Sequence, residues 1–204
     1  DLSGLGFKEV YVVSEGLNFT PLNHVPEKEI YPVVAYAGRL KRAKRPDHAV
    51  KAFKLVKEKV PEAELWIIGD GYFREDLEKM AGDGVKFFGG LPNIKRRELI
   101  KKAWVLVNPS VREGFGLNVA EANALGTPCV AYDVAGLRDS IVDGVTGLMV
   151  GSGDILGLAD ALIRVLQDNA LRERFSRNAL EYARKFSWDK TAEDVLKVVE
   201  GAAR

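Results

Sequence analysis

The strongest constraint on this chain is a repeated switch of period: short apolar, β-branched runs stop at glycine or a polar turn, and segments of helical spacing follow. Val33 to Ala37 ends at Gly38, Leu65 to Ile68 at Gly69-Asp70-Gly71, Val85 to Phe88 at Gly89-Gly90, and Trp104 to Val107 at Asn108-Pro109-Ser110. After Pro46, apolar residues fall at Ala49, Ala52, Phe53, Val56 and Val60 until Pro61, the stripe of a helix with one buried face. Further helices are predicted through Leu77 and Met80 and from about Lys95 to Ala103. Strands separated by helices pair in parallel through right-handed crossovers. The expected fold is therefore α/β, a doubly wound parallel sheet with helices on both faces.

The remainder extends this pattern. Strands are predicted at Val130 and at Leu148 to Val150, joined by a loop rich in Gly136, Gly144 and Gly147. Asp154 is expected to cap a helix carrying Leu158, Leu162, Val165 and Leu166, Asn169 the next, and Ser187 a last helix over about 187–203. That last helix bears an apolar stripe of Trp188, Ala192, Val195, Leu196 and Val199, which must be buried somewhere. Val10 to Val13, before Ser14-Glu15-Gly16, also reads as a strand. With 204 residues, 47% hydrophobic, and no repeat or linker, residues 1–204 are read as one domain.

Composition narrows the partners. Thirty basic and 29 acidic residues leave a net charge of +1, so no global field recruits nucleic acid or an anionic membrane. Cys129 is the single cysteine, which excludes an intrachain disulfide and argues against a metal cluster. No apolar stretch approaches the roughly 20 residues of a membrane span. A cytoplasmic location is expected. The first residue, Asp1, points to a piece of a longer protein.

Ligands of doubly wound sheets bind outside the carboxyl ends of the strands. Asn108 to Cys129 is the richest such exit. Its glycine-bracketed turn leads into a helix expected to begin near Leu117, with Glu113 in the loop and Glu121 one turn inside, eight positions on. Gly114 and Gly116 allow close backbone approach, and the first helical N–H groups favour an anion. Free amides for phosphate and carboxylates for hydroxyls suit a sugar nucleotide. Gly38-Arg39-Leu40-Lys41-Arg42-Ala43-Lys44 places cations at the same edge of the sheet.

Glu113-Gly-Phe-Gly-Leu-Asn-Val-Ala-Glu121 resembles the E-x7-E motif of retaining glycosyltransferases with two facing Rossmann-like domains, the GT-B architecture of family 4, or group 1. The resemblance covers nearly the whole chain but one of the two domains, the carboxy-terminal, donor-binding one. It implies that Glu113 holds a hydroxyl of the transferred sugar and Glu121 the ribose hydroxyls. Gly116, Leu117 and Asn118 would offer backbone N–H groups, with Gly114 and Phe115 in the same turn. Arg39 and Lys44 match the pair that binds the donor diphosphate; Gly38 precedes them. Leu91, in Phe87-Phe88-Gly89-Gly90-Leu91, takes the position whose backbone meets the base. The resemblance implies catalytic work for Glu113, Arg39 and Lys44, no cofactor and no metal. It also implies an amino-terminal acceptor domain as partner, through which any membrane contact would pass, and a last helix that reaches across to it.

The other motifs are read as structural. Gly69-Asp70-Gly71 lacks a third glycine, since Arg74 stands there, so it is no dinucleotide fingerprint. His24 and His48 have no partner at metal spacing and are read as structural or surface residues, as are the charges of Lys41, Arg42 and Arg45. Phe87 and Phe88 are read as core strand side chains. Two other functions remain open: a module that holds nucleotide-sugar without catalysis, and a different GT-B enzyme such as a glucan synthase or a hydrolysing epimerase.

Overall fold

The computed structural model describes Gly6 and residues 10–202. Six strands form one sheet: β1 (Val33–Ala37), β2 (Glu64–Ile68), β3 (Val85–Gly89), β4 (Val105–Asn108), β5 (Cys129–Tyr132) and β6 (Gly147–Val150). Their order is β3-β2-β1-β4-β5-β6, and every neighbouring pair is parallel. The helices are α1 (Pro46–Lys59), α2 (Arg74–Met80), α3 (Asn93–Lys102), α4 (Leu117–Ala124), α5 (Ala135–Arg138), α6 (Ile155–Gln167), α7 (Asn169–Ala183) and α8 (Trp188–Ala202). The expected α/β architecture is found, and strand order reverses direction between β1 and β4, which opens a crevice at their carboxyl ends.

Period 2 sorts the strand residues onto two cores. Val34, Tyr36, Leu65, Ile67, Val105, Val107 and Val130 pack with Phe53 and Val56 of α1 and Leu158 and Leu162 of α6. Val33, Ala35, Trp66, Ile68, Leu106 and Cys129 pack on the other face with Ile100 of α3, Val119 and Ala122 of α4, and Leu137 of α5. Covering both faces is why the strands are apolar throughout rather than alternating. Each fully buried Leu or Ile contributes about 1.5–3 kcal/mol.

Three expectations change. Val10 to Val13 forms no strand; Val10, Tyr11 and Val12 are exposed, and the following residues run along the start of α8 instead. Thr191 donates to the Ser14 carbonyl at 2.8 Å, and Trp188 Nε1 to Asn18 Oδ1 at 2.9 Å. β-branched residues favour a strand where a sheet receives them, and this run leaves the sheet untouched. The cap of α7 is Asp168, whose carboxylate accepts from Leu171 N at 2.9 Å, while Asn169 is already helical. The glycine-rich loop after β5 contains the short helix α5. Asp154 and Ser187 cap as expected, accepting from Gly157 N at 2.8 Å and Lys190 N at 3.2 Å. The stripe of α8 stays largely open, with Trp188 49%, Leu196 56% and Val199 58% exposed.

Candidate functional site

The crevice between the ends of β1 and β4 is built first by backbone contacts. The loop after β1 is joined to the loop after β2: Gly38 N donates to Ile68 O at 3.0 Å and Leu40 N to Asp70 O at 2.9 Å. Gly69, at φ +146, fits there because a Cβ would lie 1.9 Å from the Gly38 carbonyl oxygen. Loop packing alone accounts for a glycine here. The Tyr36 hydroxyl donates to Arg39 O at 3.2 Å, and burial, helped by the Glu113 and Asp47 carboxylates, raises its pKa well above the usual tyrosine range. Arg39 itself is exposed.

A 3-10 turn at Arg42–Lys44 then turns Lys44 back towards the sheet. Its Nζ lies 2.6 Å from Glu113 Oε1, with both side chains mostly buried. Two residues 69 positions apart, one from each strand exit, thus meet across the crevice.

The β4 exit is held by amide side chains. Asn108, buried at the strand end, accepts from Ser110 N at 3.1 Å and donates to Asn118 Oδ1 at 3.1 Å. Asn118 in turn donates to the Ala37 carbonyl at 2.8 Å, tying the first turn of α4 to the end of β1. The helix begins at Leu117, as predicted, after Gly116 in a left-handed conformation at φ 76, and no side chain caps it. Val119 N and Ala120 N donate to Gly116 O, while Leu117 and Asn118 keep first-turn N–H groups that no side chain caps.

The turn from Glu113 to Gly116 rests on α5. A Cβ on Gly136 would lie 2.2 Å from the Glu113 carbonyl oxygen, and one on Gly116 would lie 2.7 Å from Ser140 Oγ. Gly114 differs. It is exposed, and a Cβ there would meet nothing within 4 Å, so its surroundings are open to a ligand. The Phe115 ring turns inward to meet Phe186 edge-on at 5.1 Å, within a small cluster that includes Leu17.

Glu121 is 7% exposed and lies against α3. Arg96 Nη2 reaches both of its oxygens, at 2.9 Å and 2.8 Å, and Arg97 Nη2 approaches to 3.9 Å while stacking on Phe19 at 3.9 Å. Leu91, just before α3, is partly buried against the core.

The structure thus joins Lys44 to Glu113 and Asn118 to the end of β1, with Gly38, Gly114, Gly116 and Leu117 at the same two strand exits, Glu121 one turn into α4, and the Arg39 side chain exposed beyond Gly38. Phe87 and Phe88 are partly buried at the edge strand, as side chains of the two cores. His48 is structural: its Nδ1 lies 2.7 Å from the Tyr132 hydroxyl, and burial lowers its pKa. Sequence reading placed Asn108 at the strand exit without a role, and missed Arg96, Tyr36 and Gly136. Asn108 carried a signal, a polar residue closing an apolar strand; the others depend on which helices meet. Among the described residues, no group of three His, Cys, Asp or Glu side chains is placed to hold a metal, and no helix is long and apolar enough to cross a membrane.

Comparison with known proteins fits this arrangement. The profile of the glycosyl transferases group 1 matches residues 22–182. A D-inositol 3-phosphate glycosyltransferase of Nocardioides sp. is 36% identical over 190 residues, covering 83% of this chain and 42% of the relative. A phosphatidyl-myo-inositol mannosyltransferase of Mycobacterium leprae is 30% identical over 200 residues, covering 94% and 53%. The chain therefore spans about half the length of these relatives. Among solved structures, a mutant of S. aureus TarM in complex with Fondaparinux, alpha-GlcNAc-glycerol and UDP superposes with a TM-score of 0.87 at 23% identity, covering 96% of this chain and 40% of that one. By its profile, its relatives and its Rossmann-like sheet, this chain belongs to the group 1 glycosyl transferases of GT-B architecture.

Proposed function

We propose that residues 1–204 form the donor-binding, carboxy-terminal domain of a retaining glycosyltransferase, which moves a sugar from a nucleotide-diphosphate sugar to a hydroxyl acceptor. The observation that carries this reading is the meeting of Lys44 and Glu113 at 2.6 Å, beside the uncapped start of α4. Phosphate and sugar hydroxyls need opposite partners, and here both stand within one crevice at the switch point of the sheet. Arg39, Lys44 and the amides of Gly116, Leu117 and Asn118 receive the diphosphate. Glu113 accepts from a sugar hydroxyl, Glu121 from the ribose, and the backbone at Gly38, Gly114, Phe115 and Leu91 lines the donor. The UDP in the TarM complex is of the ligand class this requires.

In the transfer, the bond between the anomeric carbon and the departing diphosphate oxygen breaks while the acceptor oxygen bonds to that carbon. The acceptor proton passes to the leaving phosphate. Arg39, Lys44 and the helix amides stabilise the charge that develops there, a preorganised role worth most in a dry site. No cofactor or metal takes part in this scheme. The acceptor domain lies in the half that these residues do not span, and the open stripe of α8 is the surface that meets it. One unpaired, buried cysteine suits a cytoplasmic setting.

The test divides by ligand. Glu121→Gln should weaken nucleoside diphosphate and nucleotide-sugar alike, whereas Glu113→Gln should weaken the sugar-bearing donor alone, by about tenfold for one lost charged hydrogen bond. Calorimetry with UDP, GDP and their glucose and mannose esters reads both. Equal loss of bare diphosphate and donor in Glu113→Gln would reject the assignment. The 204-residue chain should bind donor in the micromolar-to-millimolar range yet transfer no sugar, because closure excludes water and aligns the nucleophile. Acceptor glycosylation by this chain alone would overturn that.

A further inference from the structure

We infer that Arg96 is a positioning residue that sets Glu121 for recognition of a ribose 2′,3′-diol, and so determines the preference for ribonucleotides over 2′-deoxyribonucleotides. The inference rests on the donor-binding reading above and adds a residue to it. Glu121 is nearly enclosed, and a lone carboxylate on a helix flank would have several rotamers. One nitrogen of Arg96 closes this freedom by bridging both oxygens, at 2.9 Å and 2.8 Å. The same nitrogen lies 3.4 Å from Asn93 Oδ1 in the first turn of α3, so the guanidinium is itself held. Arg97 supports the arrangement from the other side, stacked on Phe19, its nearest nitrogen 3.9 Å from Glu121.

A carboxylate offers about four lone-pair positions. Arg96 takes one on each oxygen, facing α3, which leaves further acceptor positions to meet the two hydroxyls of a vicinal diol. Arg96 also lies five residues beyond Leu91, between the base loop and α4, which is where the sugar of a nucleotide spanning base loop and helix must pass. Since Arg96 is 22% exposed at its side chain against 9% for Glu121, its removal frees the carboxylate without opening the core.

The readout is a ratio. Affinities of UDP and 2′-deoxy-UDP, with GDP and 2′-deoxy-GDP as a second pair, are measured by calorimetry for wild type, Arg96→Met, Arg96→Lys and Glu121→Gln. In the wild-type chain the ribo form of the preferred base should bind about tenfold tighter, the worth of one hydroxyl bound to a charged group. Arg96→Met should bring that ratio to about twofold or less, with Arg96→Lys in between, and Arg96→Met combined with Glu121→Gln should lose nothing beyond Glu121→Gln. A wild-type ratio retained in Arg96→Met, or equal losses for ribo and deoxy forms, overturns the inference while leaving the donor site standing. No binding of either diphosphate by wild type overturns both.

Discussion

Replacing Gly136 by alanine tests whether the turn from Glu113 to Gly116 is held by α5. The added Cβ would lie 2.2 Å from Glu113 O, 2.6 Å from Glu113 C and 2.7 Å from Gly114 C. Ordinary contact begins near 3.4 Å, so relief requires about 1 Å of movement. All three obstacles are backbone. Leu137, fully buried beside Gly136, anchors α5, so the turn is the part that moves. A shift of that size moves Glu113 relative to Lys44 and should weaken their 2.6 Å contact. Overpacking of this kind costs about 1–3 kcal/mol, a fall of roughly 2–10 °C in melting temperature for a chain of this size. With Glu113 displaced, affinity for the sugar-bearing donor should drop about tenfold, whereas bare diphosphate, which no longer has that contact to break, should bind at least as well as to wild type. Gly114→Ala is the control: with open space around it, it should melt within about 1 °C of wild type, and any loss of donor affinity then reports a ligand close to that backbone. A Gly136→Ala chain that melts and binds donor like wild type would refute the proposed support.

Arg39→Ala and Lys44→Ala should each weaken nucleoside-diphosphate binding by about 1–3 kcal/mol in calorimetry, and added salt should weaken wild-type binding; unchanged affinity in both variants would remove the cation assignment. Lys28 supplies a pH test: it donates to Lys101 O at 2.9 Å and Thr127 Oγ1 at 2.8 Å, and burial, with the Arg172 charge, lowers its pKa to about 7. The unfolded chain then binds more protons than the folded one above about pH 7, so stability should rise by about 2 kcal/mol between pH 7 and pH 9, the penalty remaining in full at lower pH. Denaturant melts of Lys28→Met should lose that slope, and an identical slope in the variant would contradict it.

How far the sequence could be read depended on whether neighbours in space were also neighbours in the chain. The strands, the start of α4 at Leu117 and the apolar stripes of α1 and α6 follow from local period and glycine stops. Glu113 and Lys44 could be named, but nothing local says that they touch. Arg96 was illegible because Lys95-Arg96-Arg97 reads as a solvated run until α3 is known to lie against α4. Gly136 looked like one loop glycine among several, although a backbone crossing above it demands the missing Cβ. Val10 to Val13 failed for the converse reason, since its composition asks for a sheet that the fold does not extend to it.

The contact of Lys44 with Glu113 means that the crevice carries its own counterion. On the proposed donor-binding reading, a diphosphate arriving there would exchange partners with a carboxylate already in place, instead of entering a bare positive field, and a sugar hydroxyl arriving at Glu113 would do the same in reverse. Each half of the donor thereby frees the group that the other half needs. When diphosphate leaves, neither charge is stranded, because each recovers the other across 2.6 Å. On that reading, release would be eased by the same contact that binding must break, and the pair would favour turnover over tight retention.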